Sequence, residues 1–218
     1  VFGCLAWIRG QPACAQQLEL PPVYQKAYMS MQKLMLNEGR VLLKTSEESL
    51  SNHPAKPFLA NYADMLELLI TEDKAKLDRQ LPMLENRLRA IENATQSSDP
   101  ERRFYQAEVR LHWAFVKLKF GQEVSASWDI IRAYRLLDEN SRLFPDYLPT
   151  YKSLGLLHVL IGSVPENYAW VARLLGLKGT IQQGLAEIRL VQHKDPILKQ
   201  EALLIDLLLH AYTLSLTD

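Results

Sequence analysis

The sequence predicts an all-α fold of about eight to ten helices arranged as consecutive hairpins. Three observations predict it. Apolar residues recur at spacings of three and four along most of the 218 residues, and prolines and glycines mark the ends of these runs. No stretch shows the strict alternation between turn signals that marks a strand pair.

Hydrophobic residues make up 48% of the chain, enough to bury a core in one domain or one continuous array. Lys and Arg number 25 against 25 for Asp and Glu, with no long run of one sign. That balance excludes nucleic acid, or any partner held by bulk charge. No apolar run outside the first residues approaches the ~20 needed to span a bilayer as a helix.

Residues 1–15 read as the remnant of an export signal. The apolar "VFGCLAWI" is followed by Ala13-x-Ala15, which places a cut before Gln16, and both cysteines, Cys4 and Cys14, fall in this stretch. The expected location is therefore the periplasm or cell envelope; a mildly apolar N-terminal helix on a cytoplasmic protein is the alternative. Residues 20–218 then form a single array.

Pro21-Pro22 opens a helix in which Val23, Ala27, Met31 and Leu34 share a face, and a second helix follows with Leu36 and Leu43. His53-Pro54 and Lys56-Pro57 punctuate the chain, because a residue before proline avoids helical dihedrals. The next helix carries Phe58, Leu59, Tyr62, Met65, Leu66, Leu69 and Ile70. From Asp73 to Ile91 a narrow stripe of Leu77, Leu81, Leu84, Leu88 and Ile91 predicts an amphipathic surface helix interrupted at Pro82.

"TQSSDPERR" predicts a helix start, with Asp99 capping, Pro100 at the first helical position and Glu101 complementing the dipole. That helix runs to Phe120, Gly121 breaks it, and another spans about Glu123 to Leu143. Pro149 begins the helix containing "LGLLHVLIG", and the last helix is expected from Ile197 to Leu216. Asp218 follows it with no polar capping helix, so the array is expected to continue or to be covered by a partner.

Hairpins in tandem raise the question of a repeat. In "RLHWAFVKLKFGQEVSASWDIIRAY" the small or turn residues Ala114, Gly121, Ala126 and Ala133 are separated by seven, five and seven positions. Ala172, Gly179, Gly184 and Pro196 repeat part of this spacing, Gly155 with Gly162 gives a third first helix, and Ala27 with Gly39 a fourth. Two helix backbones approach closely only where side chains are small, so Gly155 and Gly184 are expected at crossings and Gly121, Gly162 and Gly179 at turns.

On these residues the chain resembles the tetratricopeptide-repeat superfamily over roughly 20 to 215, as a degenerate TPR-like solenoid. Over residues 154–188 the pattern of Gly155, Leu156, His158, Pro165, Leu175, Gly176, Gly179, Gly184 and Leu185 is similar to exported bacterial repeat proteins and to the eukaryotic inclusion-body-clearance repeat family. The resemblance implies a concave surface lined by first helices. Its groove positions here are Tyr24, Tyr28, Glu108, Phe115, Lys119, Lys152, Arg173 and His210, with His158 beside them. The Lys and Asn cluster that chaperone-binding members use to clamp a peptide carboxylate is missing.

Catalytic patterns are absent from the sequence. The histidines at 53, 112, 158, 193 and 210 make no metal-ligand pair, so neither metal nor cofactor is expected. His158, on an apolar helix, reads as a core residue bonded to a neighbour. The paired carboxylates Glu47-Glu48 and Asp138-Glu139 point apart on a helix and suit solvated faces. Trp113, Phe115 and Trp128 read as an aromatic core stripe.

The expectation is a non-catalytic module or scaffold presenting its concave surface to a protein or peptide. The alternative is a helical enzyme or small-ligand protein with a pocket near residues 158–173, where His158, Tyr168, Trp170 and Arg173 would converge at the irregular "SVPENYAW".

Overall fold

The computed structural model describes residues 15–213, and within them every regular element is a helix. The expected leader thus lies outside the described residues except for Ala15. The first pair is α1 (Pro22–Gln32) and α2 (Leu36–Lys44), joined through Leu34, whose φ of 62° lets the chain reverse in a short turn. Then come α3 (Ala55–Thr71), α4 (Lys74–Gln80) and α5 (Met83–Ala94). The expected stripe is therefore split at Leu81-Pro82, while Leu77, Leu84, Leu88 and Ile91 keep one buried face across the break.

The third pair, α6 (Pro100–Lys119) and α7 (Glu123–Leu143), has the bounds its prolines and Gly121 predict. Gly121 has φ of 70°, a left-handed conformation that glycine adopts without a Cβ penalty. Ala107, Ala114, Ala126 and Ala133 are wholly buried on these two helices, so their backbones pack close. Asp99 does not cap α6 as expected: its carboxylate accepts instead from the Gln96 amide, at 2.7 Å. Trp113 is buried, but Trp128 is 57% exposed and belongs to no core stripe.

The fourth pair departs from the expected spacing. α8 (Pro149–Gly162) packs along α10 (Ile181–Lys194), and α9 (Glu166–Leu174) is an excursion between them. Gly155 and Gly184 meet at this crossing as expected. Gly162, the last residue of α8, and Gly179, in the loop before α10, stand at inter-helix connections as expected and are close approaches as well: a Cβ on Gly162 would stand 2.6 Å from the Ile181 amide, and one on Gly179 2.6 Å from His158 Cα. Gly176, with φ of 76°, is the turn that ends α9.

The last helix, α11 (Lys199–Tyr212), packs on α10 and α8. The first members of the pairs, α1, α3, α6 and α8, follow one another on the inside of the array, with α11 after them. The curl is tight enough that α11 reaches α1, where the Tyr28 hydroxyl donates to Glu201. Residues 15–21 tie this end together. The Gln16 amide donates to Asp146 O at 2.7 Å, Gln16 O accepts from the Leu148 amide at 2.8 Å, and the Leu18 amide donates to Asp195 at 2.7 Å. Inside sits an aromatic core in which Phe58 contacts Tyr28, Tyr62, Phe104, Tyr105 and His112.

Candidate functional site

The inner helices leave a funnel between them. Residues three and four apart on a helix share a face, and four helices each contribute one such face: Tyr62, Met65, Leu66 and Leu69 from α3; Glu108, Leu111, His112 and Phe115 from α6; Lys152, Ser153, Leu156 and Leu160 from α8; and Glu201, Leu204, Ile205, Leu208 and Tyr212 from α11. The funnel holds about 480 Å³. Its walls are almost wholly apolar, and its charged groups, Glu108, Lys152 and Glu201, meet in one cluster that forms the floor. From Glu201 at the floor to Tyr212 at the mouth the α11 wall is about 16 Å long, at ~1.5 Å per residue.

The floor is a buried ion cluster. Lys152 Nζ donates to Glu108 Oε2 at 2.6 Å and to Glu201 Oε1 at 2.7 Å. Ser153 Oγ donates to the other oxygen of Glu108, and the Tyr28 hydroxyl to the other oxygen of Glu201. Lys152 and Glu108 are each 1% exposed. Burial opposes the ammonium, but the two carboxylates outweigh it and hold Lys152 above the ordinary lysine range. Burial pushes the Glu108 carboxyl up, against the pull of Lys152 and with the help of the Glu201 charge.

His112 completes the floor from α6. Arg87 NH1 donates to Asn61 Oδ1 at 2.7 Å, so Asn61 Nδ2 is the atom that faces His112 Nδ1, at 3.0 Å. Nδ1 therefore accepts, and the ring proton sits on Nε2. Among the described residues Nε2 has no hydrogen-bond partner; it lies 3.9 Å from Glu108 Oε2. Burial, with Lys152 and Arg87 adding to it, holds His112 well below the ordinary histidine range and keeps it neutral.

No family model matches the chain, nor does any curated protein or solved structure. Function therefore rests on the site. Among the described residues no cluster of His, Cys, Asp and Glu could hold a metal ion, and no helix is long and apolar enough to cross a membrane.

Of the groove positions expected from sequence, Glu108, Phe115 and Lys152 line the funnel, and Tyr28 touches it from behind through Glu201. The others stand elsewhere. Tyr24 is buried with its hydroxyl on Leu50 O at 2.7 Å; Lys119 pairs with Glu72 at 2.8 Å on the surface; His210 is exposed, 2.9 Å from Asp206 O. Arg173 is exposed on α9 and does not line the funnel.

His158 is 4% exposed with Nδ1 2.6 Å from Glu187 Oε2, bonded to a neighbour as its apolar helix predicts. The alternative pocket at residues 158–173 does not form from these groups: His158 is sealed beneath Gly179, while Trp170 and Arg173 face solvent. The side chain of Tyr168 lies outside the described residues.

Sequence reasoning missed Tyr62, His112, Ser153 and Glu201. A charged residue such as Glu201, heading the apolar face Leu204, Leu208 and Tyr212, was a signal of a lined interior. Nothing local in the sequence pairs it with Lys152.

Proposed function

We propose that this chain is a non-catalytic binding protein whose ligand site is the funnel between α3, α6, α8 and α11. The observation that carries this reading is the funnel's form: apolar walls over a few buried polar groups, with a volume of about 480 Å³, in the range typical of small-ligand sites. Its ligand is a long apolar molecule entering from the Tyr212 end. The tetratricopeptide resemblance supports binding at the inner face, and the Ala13-x-Ala15 pattern supports an exported protein that meets such ligands at the envelope.

A protein or peptide partner is a second reading, favoured by one observation. Leu203 and Leu207 of α11 are exposed beside Leu204 and Leu208, so an apolar surface continues around α11 outside the funnel. The length of the wall favours the first reading, since a helix laid across the mouth would leave the floor unfilled.

The test uses N-phenyl-1-naphthylamine, a dye whose emission rises in apolar surroundings. The expected result is saturable enhancement that Leu204→Glu, within the funnel wall, abolishes and Val124→Glu, at an exposed position on α7, leaves intact. No enhancement, or equal loss in both variants, would sink the reading.

A further inference from the structure

By formal charge the floor sets two carboxylates against one ammonium, and burial resists the second negative charge by pushing the Glu108 carboxyl up. Glu108 and Glu201 share the single ammonium of Lys152, and each of the four carboxylate oxygens has one protein donor. Among the described residues no second cation pairs with these carboxylates. His112 is fixed as the neutral tautomer by Asn61, and Arg87, behind it, is spent on Asp64 and Asn61. Asp195 is occupied by the amides of Leu18, Ile197 and Leu198.

An uncompensated charge in a low-dielectric interior is costly, and an opposite charge brought to it is correspondingly favoured. Glu201 is the member of the cluster open to such a charge: its side chain is 13% exposed, against 2% for Glu108 and 1% for Lys152. It also stands where the α11 wall begins, below Leu204, Ile205 and Leu208.

We propose that the ligand is a cationic amphiphile, an aliphatic chain ending in an ammonium group, that enters head first and sets its ammonium against Glu201. This rests on the funnel being a binding site at all. The chain of the amphiphile covers the apolar wall, and the head supplies the cation that the floor lacks. A carboxylate head meets repulsion from two glutamates; a hydroxyl head gains neither attraction nor repulsion of that size.

The experiment is displacement of N-phenyl-1-naphthylamine from the full chain at pH 7 by n-decylamine, decan-1-ol and decanoate, each below its micellar concentration. Decylamine is expected to displace the dye at a concentration at least roughly tenfold lower than decanol, a difference of ~1.4 kcal/mol. Decanoate is expected to be weakest. In Glu201→Gln, with helical content and melting checked and each displacement read against the variant's own dye affinity, the advantage of the amine over the alcohol disappears.

Equal or stronger displacement by decanol or decanoate in the unmodified chain overturns the proposal, as does an amine advantage that survives Glu201→Gln. The ranking is read on the unmodified chain, so it decides even if the variant fails to fold. Failure of the dye to bind at all would instead remove the funnel as a ligand site.

Discussion

The backbones of Gly155 and Gly184 touch: a Cβ built on Gly155 would stand 2.8 Å from the carbonyl oxygen of Gly184, and one on Gly184 closer still to that of Gly155. Neither carbonyl can move without breaking its helix. This contact sets how near α8 comes to α10 and so where the Lys152–Leu160 face stands in the funnel.

Gly184→Ala is therefore expected to lower stability by about 1–3 kcal/mol through overpacking, read as a lower urea midpoint with helical content kept. Gly121→Ala, where nothing lies within 4 Å of an added Cβ and the φ is 70°, is expected to lose only ~1–2 kcal/mol from the left-handed backbone. A loss for Gly184→Ala smaller than that for Gly121→Ala would show that the α8–α10 crossing accommodates a methyl group.

Lys152→Met leaves Glu108 and Glu201 buried without their shared cation. A loss of about 3–5 kcal/mol is expected, the usual result of removing one partner of a buried ion pair. Adding Glu108→Gln and Glu201→Gln to that variant should restore most of it, because the uncompensated charge is then gone. Chemical denaturation of the single and triple variants checks this. A triple variant no more stable than the single would mean that the loss was one of packing.

Glu101, in the first turn of α6, has its carboxyl pushed from 4.5 up to about 7 by burial first, then by Asp99 and Glu19. The helix N-terminus favours the charged form, but burial outweighs it here. A raised folded-state value means that the folded chain holds the proton more tightly than the unfolded chain. Its contribution is fully present below the unfolded value of 4.5 and is lost as pH rises through about 7. Glu101→Gln should flatten the stability profile between those limits and melt higher than the parent at pH 8. An unchanged profile would refute the assignment.

Asp195 accepts the amides of Ile197 and Leu198 at the start of α11 and that of Leu18 from the N-terminal segment. Asp195→Ala leaves three amides without this acceptor, two of them at residues buried in the core, at an expected cost of about 1–3 kcal/mol for each buried donor left unmet. Hydrogen exchange should then quicken at Leu18 and at the first turn of α11 together. Acceleration at α11 alone would mean that residues 15–21 are held by other contacts.

The sequence by itself determined the helices. Pro100, Gly121 and Pro149 delimit α6, α7 and α8 because proline and glycine act through local dihedrals, and Leu77, Leu84, Leu88 and Ile91 show a buried face because helical periodicity is local too. It also marked Gly155 and Gly184 as a crossing, since only small residues permit one. Local spacing could not reveal that α9 is an excursion, and Arg173 on it was placed in a groove it does not reach.

Only the tertiary structure decided the floor of the funnel. Glu108, Lys152 and Glu201 lie on three helices, 44 and 49 positions apart, and His112 becomes part of the floor through Asn61 and Arg87 from two more. Each of these residues, read singly, looks like an ordinary charged or polar position on a helix. Their meeting depends on how tightly the array curls, a sum of small helix-crossing angles set by packing along the whole chain.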